Sequence, residues 1–276
     1  FLTNTFGGNA SRLALHDLQG DVFELNRLGA ALGREVADAA DRPVVVAGSM
    51  GPTGEILEPV GALTHARAVE MFEEQARGLI AGGADVLWVE TISSEEELRA
   101  AADAIALTGH PWCVTMSFDT AGRTMMGVTS TGLAAAIAAL PHPPVAFGAN
   151  CGVGASDLLR TVLGISDAAP GGALIAKGNA GIPRYVDGHI HYDGTPDLMA
   201  DYAVLARDSG ARIIGGCCGT APAHLSAMRR ALETAPPGPR PGLGEVEARL
   251  GAFSSTSDGT GPAAAPQRRE RRRRRG

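Results

Sequence analysis

The amino-acid sequence predicts an α/β protein built on a parallel sheet, and within that class it favours a (β/α)8 (TIM) barrel. Short apolar segments alternate with helical segments in units of roughly 30–45 residues, a pattern typical of parallel sheets. Segments rich in glycine, asparagine and cysteine follow predicted strands and precede predicted helices, which in a barrel is the catalytic face. The number of units, over about 235 residues, favours a barrel above a doubly wound sheet.

Seven segments are predicted as strands. Pro43–Ala47 is fully apolar, as expected of a strand buried on both faces. The opening residues, Phe1–Phe6, form another predicted strand that runs into a loop. The remaining predicted strands are Asp85–Val89, Trp112–Phe118, Val145–Ala149, Ala173–Ala176 and Arg212–Ile214.

Helical periodicity separates these strands. In Val22–Ala39, apolar residues such as Leu25, Leu28 and Leu32 recur three or four positions apart. Ser94 and Glu97 have the spacing of a capping box at the start of a helix. The predicted helices are Val22–Ala39, His65–Ile80, Ser94–Leu107, Ala155–Ile165, Pro196–Arg207 and Ala221–Leu232.

Composition changes after residue 235 and divides the chain into a barrel domain, 1–235, and a C-terminal region, 236–276. The second region opens with a Pro/Gly-rich linker and holds one short helical segment, Glu245–Leu250. From residue 254 the sequence is of low complexity and ends in an arginine run, so we predict that 254–276 is a disordered, solvated tail.

Charge and hydropathy exclude two classes of protein. The net charge of −6 combines a basic tail with an acidic body, since Gln267–Gly276 holds seven Arg and one Glu. Residues 1–266 therefore hold 17 basic and 29 acidic side chains, which excludes a basic surface for nucleic acid. No apolar run approaches the roughly 20 residues of a membrane helix, and no signal peptide opens the chain, so we expect a cytoplasmic protein.

The four cysteines indicate a metal site or reactive thiols more than a disulfide scaffold. Cys151 follows the fifth predicted strand, and Cys217 and Cys218 follow the seventh. Neighbouring residues of a strand point to opposite sides, so this pair shares one metal only where the backbone bends, as the flanking glycines permit. Three thiolates suit tetrahedral zinc with one open position. The alternatives are small buried cysteines, of which Cys113 is one, and a vicinal disulfide between Cys217 and Cys218.

A thiolate-rich zinc favours one kind of chemistry. The ligands already donate much negative charge, so bound water is poorly acidified and hydrolysis is disfavoured. A substrate thiol, in contrast, loses its proton near neutral pH when it binds zinc. With four thiolates the formal charge of the centre is −2, which keeps the substrate sulfur nucleophilic toward an activated methyl group.

The motifs that carry these residues resemble those of the homocysteine S-methyltransferase family, a group of zinc-dependent (β/α)8 barrels. The resemblance covers Phe1–Leu232, and its most specific parts are GGCCGT at 215–220 and GANCG at 148–152. Two segments, SFDTAGRTMMG at 117–127 and GANCGVGAS at 148–156, are most similar to those of bacterial betaine–homocysteine methyltransferases. Further matches are TNTFGGN at 3–9, GSMGPTGE at 48–55, ADVLWVET at 84–91, SFDTAGRTMMG at 117–127 and KGNAGIP at 177–183.

The resemblance implies roles for five residues. Cys151, Cys217 and Cys218 match the family's zinc ligands. Glu90 matches the acid that holds the amino group of homocysteine, with a helix-capping acid before the next helix as the alternative. Asn179 matches a strand-end asparagine that approaches the zinc or orients its ligands, with a plain turn residue as the alternative.

For three further residues, a structural role is expected in preference to a catalytic or metal-binding role. Lys177 stands on a predicted strand, where a Schiff-base lysine is one interpretation, but a satisfied structural lysine is the better expectation. His189 and His191 lie between Gly188 and Gly194, where a surface turn is favoured over a metal site.

Two departures from the family pattern qualify the expected activity. The family's first strand, which ends in Asp-Gly, and the helix after it have no counterpart, so we expect a barrel that lacks its first βα unit in this chain. Gly7 and Gly8 follow Phe6, where the betaine-using vertebrate enzymes place aromatic rings around the trimethylammonium group.

We therefore expect zinc-dependent methyl transfer, with glycine betaine as the first donor candidate, to the thiolate of homocysteine, giving methionine. S-methylmethionine and methylcobalamin are the alternative donors. A catalytically impaired zinc-binding barrel with a structural or regulatory role is the alternative from another class. The expected partners are homocysteine and a small methyl donor, and neither nucleic acid nor a membrane is expected. The sequence is compatible with a homo-oligomer.

Overall fold

A computed structural model describes residues 1–182, 184–186 and 188–261. Within them, helices alternate with strands that form a six-stranded sheet whose neighbours are all parallel, and this confirms the predicted α/β class. A separate antiparallel hairpin precedes the last strand of the sheet. The sheet, in spatial order, consists of β1 (Ala47–Met50), β2 (Val86–Ile92), β3 (Trp112–Met116), β4 (Ala146–Cys151), β5 (Leu174–Gly178) and β8 (Ala211–Gly216), and the hairpin of β6 (Arg184–Val186) and β7 (His189–His191).

Most helices begin where the sequence predicts. Ser94 caps its helix by accepting a hydrogen bond from the Glu97 N–H, but the Glu97 carboxylate accepts from Thr53 and leaves the capping box half formed. The alanine-rich helix α5 was not predicted. The helices are α1 (Ala10–Leu13), α2 (Val22–Asp38), α3 (His65–Ala81), α4 (Glu95–Ala106), α5 (Ser130–Ala138), α6 (Ala155–Ala168), α7 (Pro196–Asp208), α8 (Pro222–Thr234) and α9 (Leu243–Leu250).

The opening segment pairs with the sheet through one parallel bridge, between Leu2 and Ala47. The Thr3 N–H donates to the Ala47 carbonyl at 2.9 Å, and the Ala47 N–H donates to the Phe1 carbonyl at 2.9 Å. This segment therefore lies beside β1 at one edge of the sheet, and β8 forms the other edge. In the described residues the two edges do not pair, so the sheet is an open arc and not a closed barrel.

The sheet curls, because side chains of distant strands meet in its interior. Strands β2 and β5 are separated by two others, and in a flat sheet their backbones would lie about 14 Å apart. Glu90 of β2 and Lys177 of β5 nevertheless form an ion pair of 2.5 Å. Below this pair, Trp88, Cys113 and Ile175 pack together as an apolar layer inside the arc.

Helix α2 buries its glycine-containing face against the sheet, whereas its leucine spacing predicts that the leucine face is buried. Leu28, Leu32 and Val36 are 45%, 61% and 64% exposed, whereas Gly29 and Gly33 are buried. A Cβ atom at Gly29 would lie 2.5 Å from the Thr5 side chain, and one at Gly33 would lie 3.1 Å from Val46. The helix thus approaches the sheet too closely for large side chains, and its leucine stripe faces outward.

The first residues of the predicted disordered tail, 254–261, have a defined structure after α9. Residues 251–261, here called the C-terminal strap, cross helix α6. The Asp157 carboxylate accepts the Ser254 N–H at 2.9 Å, and Arg160 donates to the Ser255 carbonyl at 2.7 Å. These two buried, charged side chains give the strap fixed hydrogen-bond partners. The rest of the predicted tail, 262–276, lies outside the described residues.

None of the helices among the described residues combines the length and the apolar character needed to cross a membrane.

Candidate metal centre

Three thiols converge at the carboxyl ends of β4 and β8, two strands that are separated in the sheet by β5. Cys151 ends β4, while Cys217 and Cys218 directly follow β8. Their sulfur atoms all lie within 4.8 Å of one another, and the Sγ atoms of Cys151 and Cys218 are 3.9 Å apart. Sulfur ligands about 2.3 Å from a tetrahedral zinc ion lie about 3.8 Å from each other. The spacing therefore fits the donor set of such a site.

Backbone bends bring these thiols to one point. Cys151 adopts a left-handed conformation, with φ of 60°, and Gly152 continues the bend with φ of 74°. At the other motif, Gly219 has φ of 75°, and a Cβ atom at Gly216 would lie 2.2 Å from the Thr220 side chain. Gly215 has neither a positive φ nor a close neighbour, since an added Cβ would lie at an ordinary contact distance of 3.6 Å from Lys177.

All four cysteines are free thiols, so the vicinal disulfide considered above is absent. Cys113 is buried inside the arc, as expected of a structural cysteine. Burial raises the pKa of Cys113 to about 11, which keeps this thiol protonated and inert.

Asn179 joins the two cysteine-bearing loops. Its Oδ1 atom accepts the Cys218 N–H at 3.0 Å, and its Nδ2 atom donates to the Gly152 carbonyl at 2.8 Å. The same Nδ2 atom lies 3.7 Å from the Cys151 sulfur. The side chain is 1% exposed and thus acts between the loops and not as a turn residue in solvent.

Asn150 has a comparable position that the sequence analysis did not single out. Its Oδ1 atom accepts the Thr91 N–H at 2.9 Å and the Thr115 hydroxyl at 2.7 Å. Its Nδ2 atom donates to the Thr91 hydroxyl at 2.9 Å and lies 3.7 Å from the Cys217 sulfur. Every hydrogen-bonding position of this buried amide is used. Its place beside Cys151 in the GANCG motif was the available signal.

The three thiols differ in acidity when no metal is bound. A hydrogen bond from Cys151, assisted by the charge of Lys177 and the amide of Asn150, lowers the pKa of Cys217 to about 6. The pKa of Cys151 is raised, because its thiol donates that hydrogen bond and is buried. Burial, followed by the charge on Cys217, raises the pKa of Cys218. The metal-free cluster therefore holds one ready thiolate, and metal binding displaces the other two protons.

Glu90 lies inside the arc near the thiols. Its Oε1 atom accepts the Ser49 hydroxyl at 2.6 Å, and its Oε2 atom accepts from Lys177. The residue is 6% exposed and does not cap α4, because Ser94 performs that function. In the sheet register, Lys177 is level with Asn150, one residue before Cys151, and with Gly215, two residues before Cys217. The pair therefore lies close beneath the thiol cluster.

His189 and His191 lie on the hairpin and not on the strands that carry the thiols. Both belong to strand β7 of the antiparallel hairpin, and both are exposed. Neither joins the three cysteines, which are the metal-compatible group found among the described residues.

Known proteins resemble this chain in sequence. Residues 1–232 match a family model described as homocysteine S-methyltransferase. The chain is 32% identical to methionine synthase from Mycobacterium tuberculosis (strain ATCC 25618 / H37Rv) over 241 residues, covering 83% of the chain. It is 31% identical to methionine synthase from Mycobacterium leprae (strain TN) over the same length. The chain spans only 20% of the length of these two relatives.

Solved structures of homocysteine methyltransferase MmuM from Escherichia coli resemble the fold. The metallated form has a TM-score of 0.65 at 22% identity and covers 83% of this chain and 78% of the enzyme. The oxidized form has a TM-score of 0.64 at 23% identity, with the same coverage. At this level of identity, the likeness establishes the fold alone.

Proposed function

Because the chain belongs to the homocysteine S-methyltransferase family, we propose that it transfers a methyl group to the sulfur of homocysteine and forms methionine. The observation that carries the proposal is the convergence of three thiols at strand ends, with sulfur atoms within 4.8 Å of one another. A cluster of this composition suits the activation of a substrate thiol better than the activation of water.

We assign zinc to this cluster, with Cys151, Cys217 and Cys218 as its ligands. When bound there, zinc would supply the positive charge that keeps a substrate thiol deprotonated near neutral pH. Asn179 and Asn150 hold the ligand-bearing loops in place through the hydrogen bonds described above. Such second contacts orient metal ligands and influence metal affinity.

Glu90 is the proposed partner of the substrate amino group, since a carboxylate at the edge of the cluster suits an ammonium ion. The substrate sulfur attacks the methyl carbon while the bond from that carbon to the donor atom breaks. The bonding electrons stay with the donor, which leaves as a neutral amine when the donor is glycine betaine. No side chain is required as a general base in this step.

Glycine betaine is the donor we propose first, because the segments SFDTAGRTMMG at 117–127 and GANCGVGAS at 148–156 are most similar to those of bacterial betaine-using enzymes. S-methylmethionine and methylcobalamin are the alternatives. We place the reaction in the cytoplasm, where a reducing environment keeps thiols such as these free.

The decisive experiment measures bound zinc and methionine formation in purified protein with homocysteine and each of the three donors. We expect stoichiometric zinc, turnover with betaine, and loss of turnover on chelation. Cys217→Ser should lose zinc, whereas Cys113→Ser, the matched control, should keep it. Full turnover in a metal-free sample would exclude the mechanism. Turnover with another donor alone would exclude betaine, and bound zinc without any turnover would favour the impaired barrel.

A further inference from the structure

The Glu90–Lys177 ion pair requires a functional explanation. Lys177 is the only lysine among 276 residues, and it is 8% exposed. Its Nζ atom lies 2.5 Å from Glu90 and 5.5 Å from the centre of the Trp88 ring. Removing two charges from water is costly, and an apolar pair of similar size often stabilises a protein equally well. Stability alone therefore explains this pair poorly.

The pair keeps Glu90 in one orientation. One carboxylate oxygen accepts the Ser49 hydroxyl and the other accepts the Lys177 ammonium. A carboxylate has about four acceptor positions, so each oxygen keeps one for a further donor. Because Ser49 lies on β1 and Lys177 lies on β5, the two contacts hold the buried carboxylate from two sides, and its remaining acceptor positions suit a substrate ammonium ion.

We propose that Lys177 is a positioning residue that holds the Glu90 carboxylate in the orientation that receives the α-amino group of the substrate thiol. This role rests on the proposed function and on Glu90 as the amino-group partner. Lys177 contributes to the choice of an amino acid over a simple thiol, since its effect reaches the substrate through Glu90.

The test compares two thiol acceptors, homocysteine and 4-sulfanylbutanoate, which lacks the amino group. We expect Lys177→Met to raise the KM for homocysteine at least about tenfold, with a much smaller change in kcat, and to leave the KM for 4-sulfanylbutanoate nearly unchanged. Lys177→Arg should restore part of the loss. Calorimetric binding of homocysteine to the zinc-loaded variants, at unchanged zinc content, supplies a readout independent of turnover.

A double variant separates positioning from a general structural effect. In the Glu90→Gln background, where no carboxylate needs a partner, Lys177→Met should change the KM for homocysteine little further. Arg160→Met removes a cation from another buried ion pair, that with Asp157 at 2.6 Å, and should lower stability without a change in KM.

Each result has a defined meaning. Equal losses for both thiols, or independent effects of the Lys177 and Glu90 substitutions, would overturn the positioning role. If the unmodified chain turns over homocysteine and Lys177→Met does so with the same KM, the inference about Lys177 fails alone. If the unmodified chain methylates neither thiol, the proposed function itself fails.

Discussion

Cys217 is the most acidic thiol of the metal-free cluster. The thiol of Cys151 donates to it and Lys177 lies nearby, so its pKa is lowered from the ordinary 9.0 to about 6. A lowered thiol pKa means that the anion is already dominant at neutral pH. Titration of metal-free protein, followed by thiolate absorbance in the ultraviolet, should show one thiol ionising near pH 6. Cys217→Ser should remove that step, and a first step near the ordinary value of 9.0 would contradict the prediction.

Asn179 has the most direct influence on the geometry of the cluster. Replacing it with alanine removes the hydrogen bonds that join Gly152 to Cys218, so both loops lose their shared anchor. We expect Asn179→Ala to weaken zinc binding by about 10–100-fold, measured by competition with a chelator. The exposed Asn4→Ala is the matched control and should bind zinc normally. Unchanged zinc affinity in Asn179→Ala would show that the contacts of Asn179 with the two loops do not influence metal binding.

The elements of the sheet were predictable to different degrees, for identifiable reasons. Strands such as β3 and β4 are buried on both faces, and continuous apolar runs mark such strands clearly. The outward face of α2 was not predictable, because the leucine spacing gives a helix face but not its direction. The cysteine site was predictable from motifs at strand ends. The GANCG motif marks Asn150 through its place beside Cys151. The partners of Asn150 and Lys177 on other strands were not predictable, because hydrogen bonds between distant strands leave no local pattern.

The C-terminal strap adds a stabilising contact, between Phe253 and Arg160, that the low-complexity composition of this region did not predict. Phe253 lies against Arg160, with the guanidinium carbon 4.6 Å from the ring centre, and packs on the main core. We expect Phe253→Ala to lower the free energy of unfolding by about 1–3 kcal/mol through lost apolar burial and cation–π contact. Denaturant titration measures the change. Leu243→Ala, at a site that is 47% exposed, should have little effect, and equal losses in the two variants would contradict a specific role of the strap.

At the scale of the whole molecule, the candidate metal centre and the edges of the sheet are separable features. Strands β4, β5 and β8 are hydrogen-bonded neighbours, and together they position Cys151, Asn179 and the Cys217–Cys218 pair. The centre thus depends on one contiguous part of the arc. The strand β8 and the opening segment lie at the two ends of the same sheet, and none of the described residues forms a strand beyond either of them.

These unpaired features predict self-association of the chain. The stripe of Leu28, Leu32 and Val36 on α2 is exposed along one helix face, and Ile213 is 38% exposed on the edge strand β8. Contiguous apolar surface and free strand edges both favour contact with a second molecule. We therefore expect sedimentation to show an association that grows with protein concentration.

The double variant Leu28→Glu/Leu32→Glu should shift this association toward the monomer. Its zinc content should stay unchanged, because α2 packs on the opening segment beside β1, at the opposite edge of the sheet from β8. Leu15→Glu, at a site that is 73% exposed and outside the stripe, is the matched control and should associate like the unmodified chain. Association that persists in the double variant would assign the contact to the edge of β8, which Ile213→Lys then tests, since an inward charge on an edge strand opposes pairing with another chain.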